Sequence, residues 1–141
     1  MKTIRWENLL APIISIVVPI KNEAENIGSL ILEICDSLPD DIRFEIVYVD
    51  DGSTDDSWDI VEELSKKDSE IRGIKFRRNY GKSAGLFVAF EAAKGDVVIT
   101  MDADLQDSPE EIPELYRMIK EDGFHLVSGY KAKRFDPLRI T

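Results

Sequence analysis

An α/β fold, with a mostly parallel sheet and helices on both faces, is predicted for this 141-residue chain by three observations. Apolar runs rich in β-branched residues alternate with segments of helical periodicity. The connections between them are short, as in βαβ units. Several of the runs end abruptly in acidic or polar residues, and ligands of open α/β sheets sit outside the carboxyl ends of the strands. The length suits one domain with a sizeable core and is too short for two ordinary ones.

The elements follow in order. Ile13 to Pro19 is a β-branched run closed by proline, a buried strand. Asn22 is expected to cap the next helix, with Glu25 completing a capping box. Ile27, Leu30, Ile31, Ile34 and Leu38 recur at helical spacing, and Pro39 ends that helix. Phe44 to Val49 is a second strand running into Asp50 and Asp51, and GSTD makes a turn. The following helix shows Trp58, Val61 and Leu64 on one face. Ile71 to Phe76 reads as a third strand. A helix with Leu86, Ala89, Phe90 and Ala93 on its apolar side stops near Gly95, and Val97 to Met101 is a fourth strand. Ser108 caps, Pro109 takes the first helical position and Glu111 completes another capping box. That helix presents Ile112, Leu115, Tyr116 and Ile119, and Gly123 ends it. His125 to Ser128 looks like a short fifth strand.

Residues 1–12 read as an N-terminal extension and 13–141 as a single unit, with no internal repeat or low-complexity linker. After Gly129 the segment YKAKRFDPLRIT is basic and aromatic and offers no helix to close the sheet. A fragment of something longer is the expectation.

Hydrophobic residues at 43% and charged residues at 33% are those of a globular chain. The formal net charge of −10 argues against nucleic acid as the main partner, because phosphate backbones demand clustered Lys and Arg. An anionic substrate stays compatible where a metal and a local basic group offset the charge. Cys35, the sole cysteine, cannot form an internal disulfide, which fits a reducing compartment. It falls on the apolar side of its helix, where a buried packing role is expected. No run approaches the ~18 apolar residues of a membrane span. The N-terminus starts basic and turns apolar, but Glu7, Asn8 and ISIVVP break a signal-peptide pattern, so a cytoplasmic location is expected.

The chemistry concentrates in VVITMDADLQDSP. Asp102 and Asp104 follow a strand one residue apart, with Gln106 one step further. Two carboxylates and an amide oxygen suit a hard divalent cation, Mg2+ or Mn2+, that keeps positions free for phosphate. Alone, the pair is a weak signal. Two more clusters, Pro19-Ile20-Lys21-Asn22-Glu23 and Asp50-Asp51-Gly52-Ser53-Thr54-Asp55, also end strands. In a parallel sheet all three share one edge. Carboxylates crowded there cost stability unless a cation or hydrogen-bond donors offset them, which favours a binding site. Each cluster also has an ordinary reading: Asp50 and Asp51 as turn chemistry, Asn22 and Glu23 as a helix start, Asp102 and Asp104 as acids before a helix N-terminus. Asn79-Tyr80-Gly81-Lys82 is a basic loop at a helix start that either meets phosphate or carries a solvated Lys82. No G-x-G-x-x-G, P-loop or Cys/His cluster is present, and His125 alone is poor support for a Ser-His-Asp triad.

VVPIKNEAENI, VDDGSTDDS, RNYGKSAGL and MDADLQDSPEEIPEL, in that order and spacing, resemble the inverting glycosyltransferases of family 2, with the GT-A fold. The DADLQ-x-x-PE-x-IP segment resembles the branch that moves a sugar from a nucleotide donor to a polyprenyl phosphate. That branch includes dolichol-phosphate mannosyltransferases and bacterial undecaprenyl-phosphate glucosyl- or mannosyltransferases. The resemblance spans roughly residues 13 to 134.

The resemblance implies a nucleotide pocket lined by Pro19, Lys21 and Glu23, with Lys21 standing where many relatives have tyrosine. It implies that Val49 and Asp51, with Asp50 beside them, hold base and ribose, and that Asp102 and Ala103 meet the ribose and diphosphate. Asp104 and Gln106 would complete the metal shell with Asp102, and Lys131 would meet the donor phosphates. Asp102, Asp104 and Lys131 are thus the implied catalytic set, with Lys82 adding electrostatic stabilisation. The implied donor is a UDP-glucose or GDP-mannose type nucleoside-diphosphate sugar. The implied acceptor, a polyprenyl phosphate, is already ionised and needs no strong general base, and a single in-line displacement inverts the anomeric carbon.

Members of the branch carry acceptor-side and membrane segments beyond the region matched. The resemblance therefore implies a donor-binding half with little turnover alone, whose parent works at the cytoplasmic face of a membrane; a homo-oligomer is left open. A glycosyltransferase acting on a cell-surface glycan is the alternative, as is a non-catalytic nucleotide-sugar-binding module. A D-x-D phosphatase is disfavoured because the pair follows the fourth strand and is followed by Leu105 and Gln106.

Overall fold

The computed structural model describes residues 13–104, 109–122, 127–128 and 139–140. Strand β1 (Ile14–Ile20) leads to helix α1 (Ile27–Ser37), and β2 (Phe44–Asp50) to α2 (Ser57–Lys67). Strand β3 (Ile71–Lys75) precedes α3 (Lys82–Ala92). After β4 (Val97–Thr100), a 3-10 turn at Pro109–Glu111 opens α4 (Ile112–Asp122). Two short strands, β5 (Val127–Ser128) and β6 (Arg139–Ile140), complete the described elements.

The four long strands form one sheet in the order β3-β2-β1-β4, with every pairing parallel. Parallel crossovers are right-handed. The steps β1 to β2 to β3 run one way across the sheet and put α1 and α2 on one face. The return from β3 to β4 runs the other way and puts α3 on the opposite face. The predicted α/β class, with a parallel sheet and helices on both faces, is the class observed.

Burial follows from this layering. Val17 and Val18, neighbours in sequence, are both fully buried, as are Ile46, Val47, Tyr48 and Val49. Strands covered on both faces read as continuous apolar runs rather than alternating ones. Ile16, Val18, Ile46 and Tyr48 pack with Ile27, Leu30, Ile34, Val61, Ile112 and Leu115 of the helices on the first face. Val17, Val47 and Val49 pack against Ala89 of α3 on the second. Each such aliphatic side chain contributes about 1.5–3 kcal/mol on full burial.

Four details depart from the sequence reading. Asn22 does not cap α1, which begins five residues later with Asn26 at the cap position. Asn22 instead adopts φ +57 and turns its side chain toward the loop after β2. Cys35 is exposed, because the buried stripe of α1 runs through Ile27, Leu30 and Ile34 and leaves Cys35 off its edge. What burial it has, then the charges of Glu70, Asp68 and Asp36, push its thiol pKa up. In α3, Gly85 and Ala89 face the sheet, while Phe87 and Phe90 are 63% and 41% exposed. A Cβ on Gly85 would lie 3.5 Å from Val49 Cγ1, so small residues draw the helix close and leave Phe90 outward. Finally, the segment after Gly129 supplies a strand, since Val127 pairs antiparallel with Ile140 and Ser128 with Arg139. Ser108, Gly123 and His125 lie outside the described residues.

The amino-terminal edge of the sheet is tied by Glu45, only 4% exposed. Its carboxylate accepts from Ser15 Oγ at 2.6 Å, Arg72 Nε at 2.8 Å and the Lys94 amide at 2.8 Å. Arg72 also donates to the Ala92 carbonyl. The chemistry-bearing loops lie at the other edge.

Candidate functional site at the carboxyl edge

Because β1, β2, β3 and β4 are parallel, their carboxyl ends meet on one edge, and the three polar clusters emerge there. A cavity of about 320 Å³ opens among them, within the size range of small-molecule sites. Pro19, Lys21 and Glu23 line it from the end of β1, and Asp51 from the end of β2. Lys82 lines it from the start of α3, and Asp102, Ala103 and Asp104 from the loop after β4. Ile20 and Gly85 complete the lining. Ile20 lies in the cluster the sequence singled out, whereas Gly85 was not anticipated, although a glycine inside a helix is a signal of close approach.

Val49 and Asp50 do not line the cavity and are essentially buried. Asp50 Oδ1 accepts the Ser53 amide at 2.8 Å, and Oδ2 has no hydrogen-bond partner among the described residues. Asp50 thus shapes the turn after β2. Gln106 and Lys131 lie outside the described residues.

Asp51, 7% exposed, is held by backbone donors from the next loop. The Tyr80 amide donates to Oδ1 at 2.7 Å and the Gly81 amide to Oδ2 at 3.0 Å. That pair of bonds fixes the loop that delivers Lys82. Gly52 lets the two loops touch: its φ is +83, and a Cβ there would lie 2.7 Å from the Asn79 nitrogen. Lys82 Nζ in turn donates to Asp102 Oδ1 at 2.6 Å.

The loop after β1 is braced on its other side. The Asn22 side-chain oxygen accepts the Thr54 amide at 2.8 Å and the Asp55 amide at 3.2 Å. The Asn22 amide donates to Ser53 Oγ, and the Glu23 amide to Ser57 Oγ. Hydrogen bonds from Ser57, through its side chain and backbone, hold the Asp55 carboxyl below its ordinary range. Ser53 and Asp55 belong to a cluster the sequence singled out, but their bracing role, and Ser57 as a site residue, were not visible because their partners lie some thirty residues away.

Charge summarises what the cavity can do. Glu23, Asp51, Asp102 and Asp104 set four carboxylates around it against Lys21 and Lys82. An anion enters such a site with a compensating cation. No cluster of three or more His, Cys, Asp or Glu side chains suited to a metal occurs among the described residues. Asp102 and Asp104 are two carboxylates that could hold a hard divalent cation together with water and phosphate.

Known proteins share the family and the fold of this chain. The family model described as Glycosyl transferase family 2 matches residues 15–139. An undecaprenyl-phosphate 4-deoxy-4-formamido-L-arabinose transferase of Pseudomonas syringae pv. syringae (strain B728a) is 44% identical over 127 residues, covering 87% of this chain and 37% of the relative. The chain thus spans little more than a third of the length of that curated relative. Staphylococcus aureus TarS residues 1–349 in complex with UDP superposes with a TM-score of 0.66 at 28% identity, covering 79% of this chain and 33% of that one. The Pyrobaculum calidifontis mannosyltransferase PcManGT, in complex with GDP-Man and Mn2+, also gives 0.66, at 25% identity and the same coverage of 79% and 33%.

Proposed function

The chain belongs to glycosyl transferase family 2, and from that premise we propose that its cavity binds the nucleoside diphosphate of a sugar donor for transfer to a polyprenyl phosphate. The observation that carries this reading is the meeting of Asp51, Lys82, Asp102 and Asp104 around one cavity at the carboxyl edge of the sheet. The undecaprenyl-phosphate transferase among the relatives supports the acceptor class. That relative is named for 4-deoxy-4-formamido-L-arabinose, whereas the sequence resemblance points to a hexose on UDP or GDP. The donor test below carries both sugars.

In this proposal Pro19, Lys21, Glu23 and Asp51 receive the nucleoside, and Asp102 with Ala103 the ribose and diphosphate. Val49 and Asp50 act from beneath, as the buried floor that sets Asp51. Lys82 moves its ammonium between Asp102 and the donor diphosphate, offsetting charge as the leaving group departs. Lys131 and Gln106 keep the roles given by the resemblance. The carboxylate chemistry of Asp102 and Asp104 fits a divalent cation, Mg2+ or Mn2+, with Gln106 as a third ligand. Bound there, it would neutralise charge developing on the nucleoside diphosphate. An ionised acceptor phosphate would attack without a protein base.

Titration calorimetry tests the reading. UDP, GDP, UDP-glucose, GDP-mannose and a nucleoside-diphosphate 4-deoxy-4-formamido-L-arabinose are titrated with and without Mn2+. Metal-dependent heat with at least one, abolished by Asp104→Asn, is expected. No heat with any of them overturns the proposal.

A further inference from the structure

We propose that Asn22 is a positioning residue for the nucleotide pocket, locking the loop after β1 to the loop after β2. The proposal deepens the donor-site reading and rests on it. It starts from a backbone irregularity: Asn22 is the only non-glycine residue with positive φ among the described residues, at +57. L-residues enter this region at a cost, and asparagine is among the few that tolerate it. Such strain persists only where surrounding contacts hold it.

Those contacts are specific. In this conformation the Asn22 side-chain oxygen reaches two consecutive backbone donors, Thr54 at 2.8 Å and Asp55 at 3.2 Å. The Asn22 amide returns a bond to Ser53 Oγ at 2.9 Å. Its neighbour Glu23 donates its amide to Ser57 Oγ at 2.8 Å, and the Ala24 amide reaches Asp55 Oδ2 at 3.3 Å. The two loops are therefore sewn together from both sides, across more than 30 residues of sequence.

The lock matters because of what it carries. Lys21 and Glu23, the immediate neighbours of Asn22, line the cavity, and Asp51 lines it from the joined loop. Asn22 itself does not line it. Removing its acceptor loosens the first two walls of the pocket relative to each other, while the backbone bonds to Ser53, Ser57 and Asp55 and every lining side chain remain. Affinity then falls because ligand binding must order the loops.

Two substitutions separate the acceptor from the backbone. Asn22→Asp keeps an oxygen and tolerates positive φ, whereas Asn22→Gly adopts the same φ freely and has no acceptor. Amide hydrogen exchange at Thr54 and Asp55, followed by NMR, reads the lock directly. Calorimetry with UDP and GDP plus Mn2+ reads its consequence. In Asn22→Gly, exchange at both amides is expected to rise and nucleotide affinity to fall, each about tenfold, as suits the loss of one or two hydrogen bonds. Asn22→Asp is expected to hold both within about threefold, since the acceptor survives. Wild-type protection in Asn22→Gly, or loss in Asn22→Asp equal to that in Asn22→Gly, overturns the proposal. Absence of UDP and GDP binding by the unsubstituted chain instead overturns the donor-site reading, and the exchange measurement still decides whether Asn22 locks the loops.

Discussion

Lys82 Nζ lies 2.6 Å from Asp102 Oδ1, joining the first residue of α3 to the loop after β4 across the mouth of the cavity. The side chains are 60% and 31% exposed. Exposed pairs of this kind contribute about 0–1 kcal/mol, so the ammonium can leave Asp102 at little cost when a better anion arrives.

Lys82→Met is accordingly expected to change the stability of the chain by less than about 1 kcal/mol in urea denaturation. It is expected to weaken UDP or GDP binding by roughly 10- to 100-fold, the scale of a hydrogen bond to a charged group. Uridine and guanosine, which lack phosphate, should bind the variant and the parent equally. Equal loss for nucleoside and nucleotide in calorimetry would place Lys82 in the scaffold and not at the phosphates.

Gly52→Ala tests the junction behind Lys82. The new Cβ would meet the Asn79 nitrogen at 2.7 Å and the Arg78 carbonyl carbon at 2.9 Å, at a residue with φ +83. Backbone atoms cannot step aside as a flexible side chain does. A loss of about 1–3 kcal/mol in urea denaturation is expected, with weaker nucleotide binding as the Tyr80 and Gly81 amides are pushed from Asp51. An unchanged midpoint would show that the two loops separate freely.

The opposite edge of the sheet supplies a pH prediction. Burial pushes the Glu45 carboxyl up, but bonds from Arg72, Ser15 and the Lys94 amide outweigh it and leave the pKa below its ordinary value. The folded chain therefore binds this proton less readily than the unfolded chain. Its contribution is complete above the ordinary glutamate value, about 4.3, and is lost as pH falls through the lower folded value. Glu45→Gln should lower stability near neutral pH by about 1–3 kcal/mol and flatten the acid side of the stability profile. Thermal melting from pH 3 to pH 7 checks both, and parallel profiles for the two proteins would contradict the assignment.

Much of the fold was legible because its signals are local. The runs at Ile14–Ile20 and Phe44–Asp50 announce buried strands through side-chain type alone, and their acidic ends follow in the same few residues. Asp51, Asp102 and Asp104 were recognisable for that reason. Asn22 was misread because the sequence N-x-x-E fits a capping box, and nothing nearby reveals acceptors wanted at Thr54 and Asp55. Cys35 and Phe90 were misread because periodicity tells which residues share a helix face but not how wide the covered stripe is. In α1 that stripe ends at Ile34, and in α3 the sheet meets Gly85 and Ala89 instead of Phe90.

By itself, the sequence determined the order and type of the elements from β1 to α4, the acidic or polar ends of three strands and the resemblance to family 2. The first two depend on residues within one turn or one strand of each other, where periodicity and composition act directly, and the third on the order and spacing of four short motifs. Only the tertiary structure decided the strand order β3-β2-β1-β4, the burial of Val49 and Asp50 outside the cavity lining, and the pairing of Lys82 with Asp102. It also decided that Asp51 holds the loop before α3 and that Asn22 holds the loop after β2. These contacts join residues about 20 to 33 positions apart. Their partners are chosen by how the sheet brings loops together, a choice that no local pattern encodes.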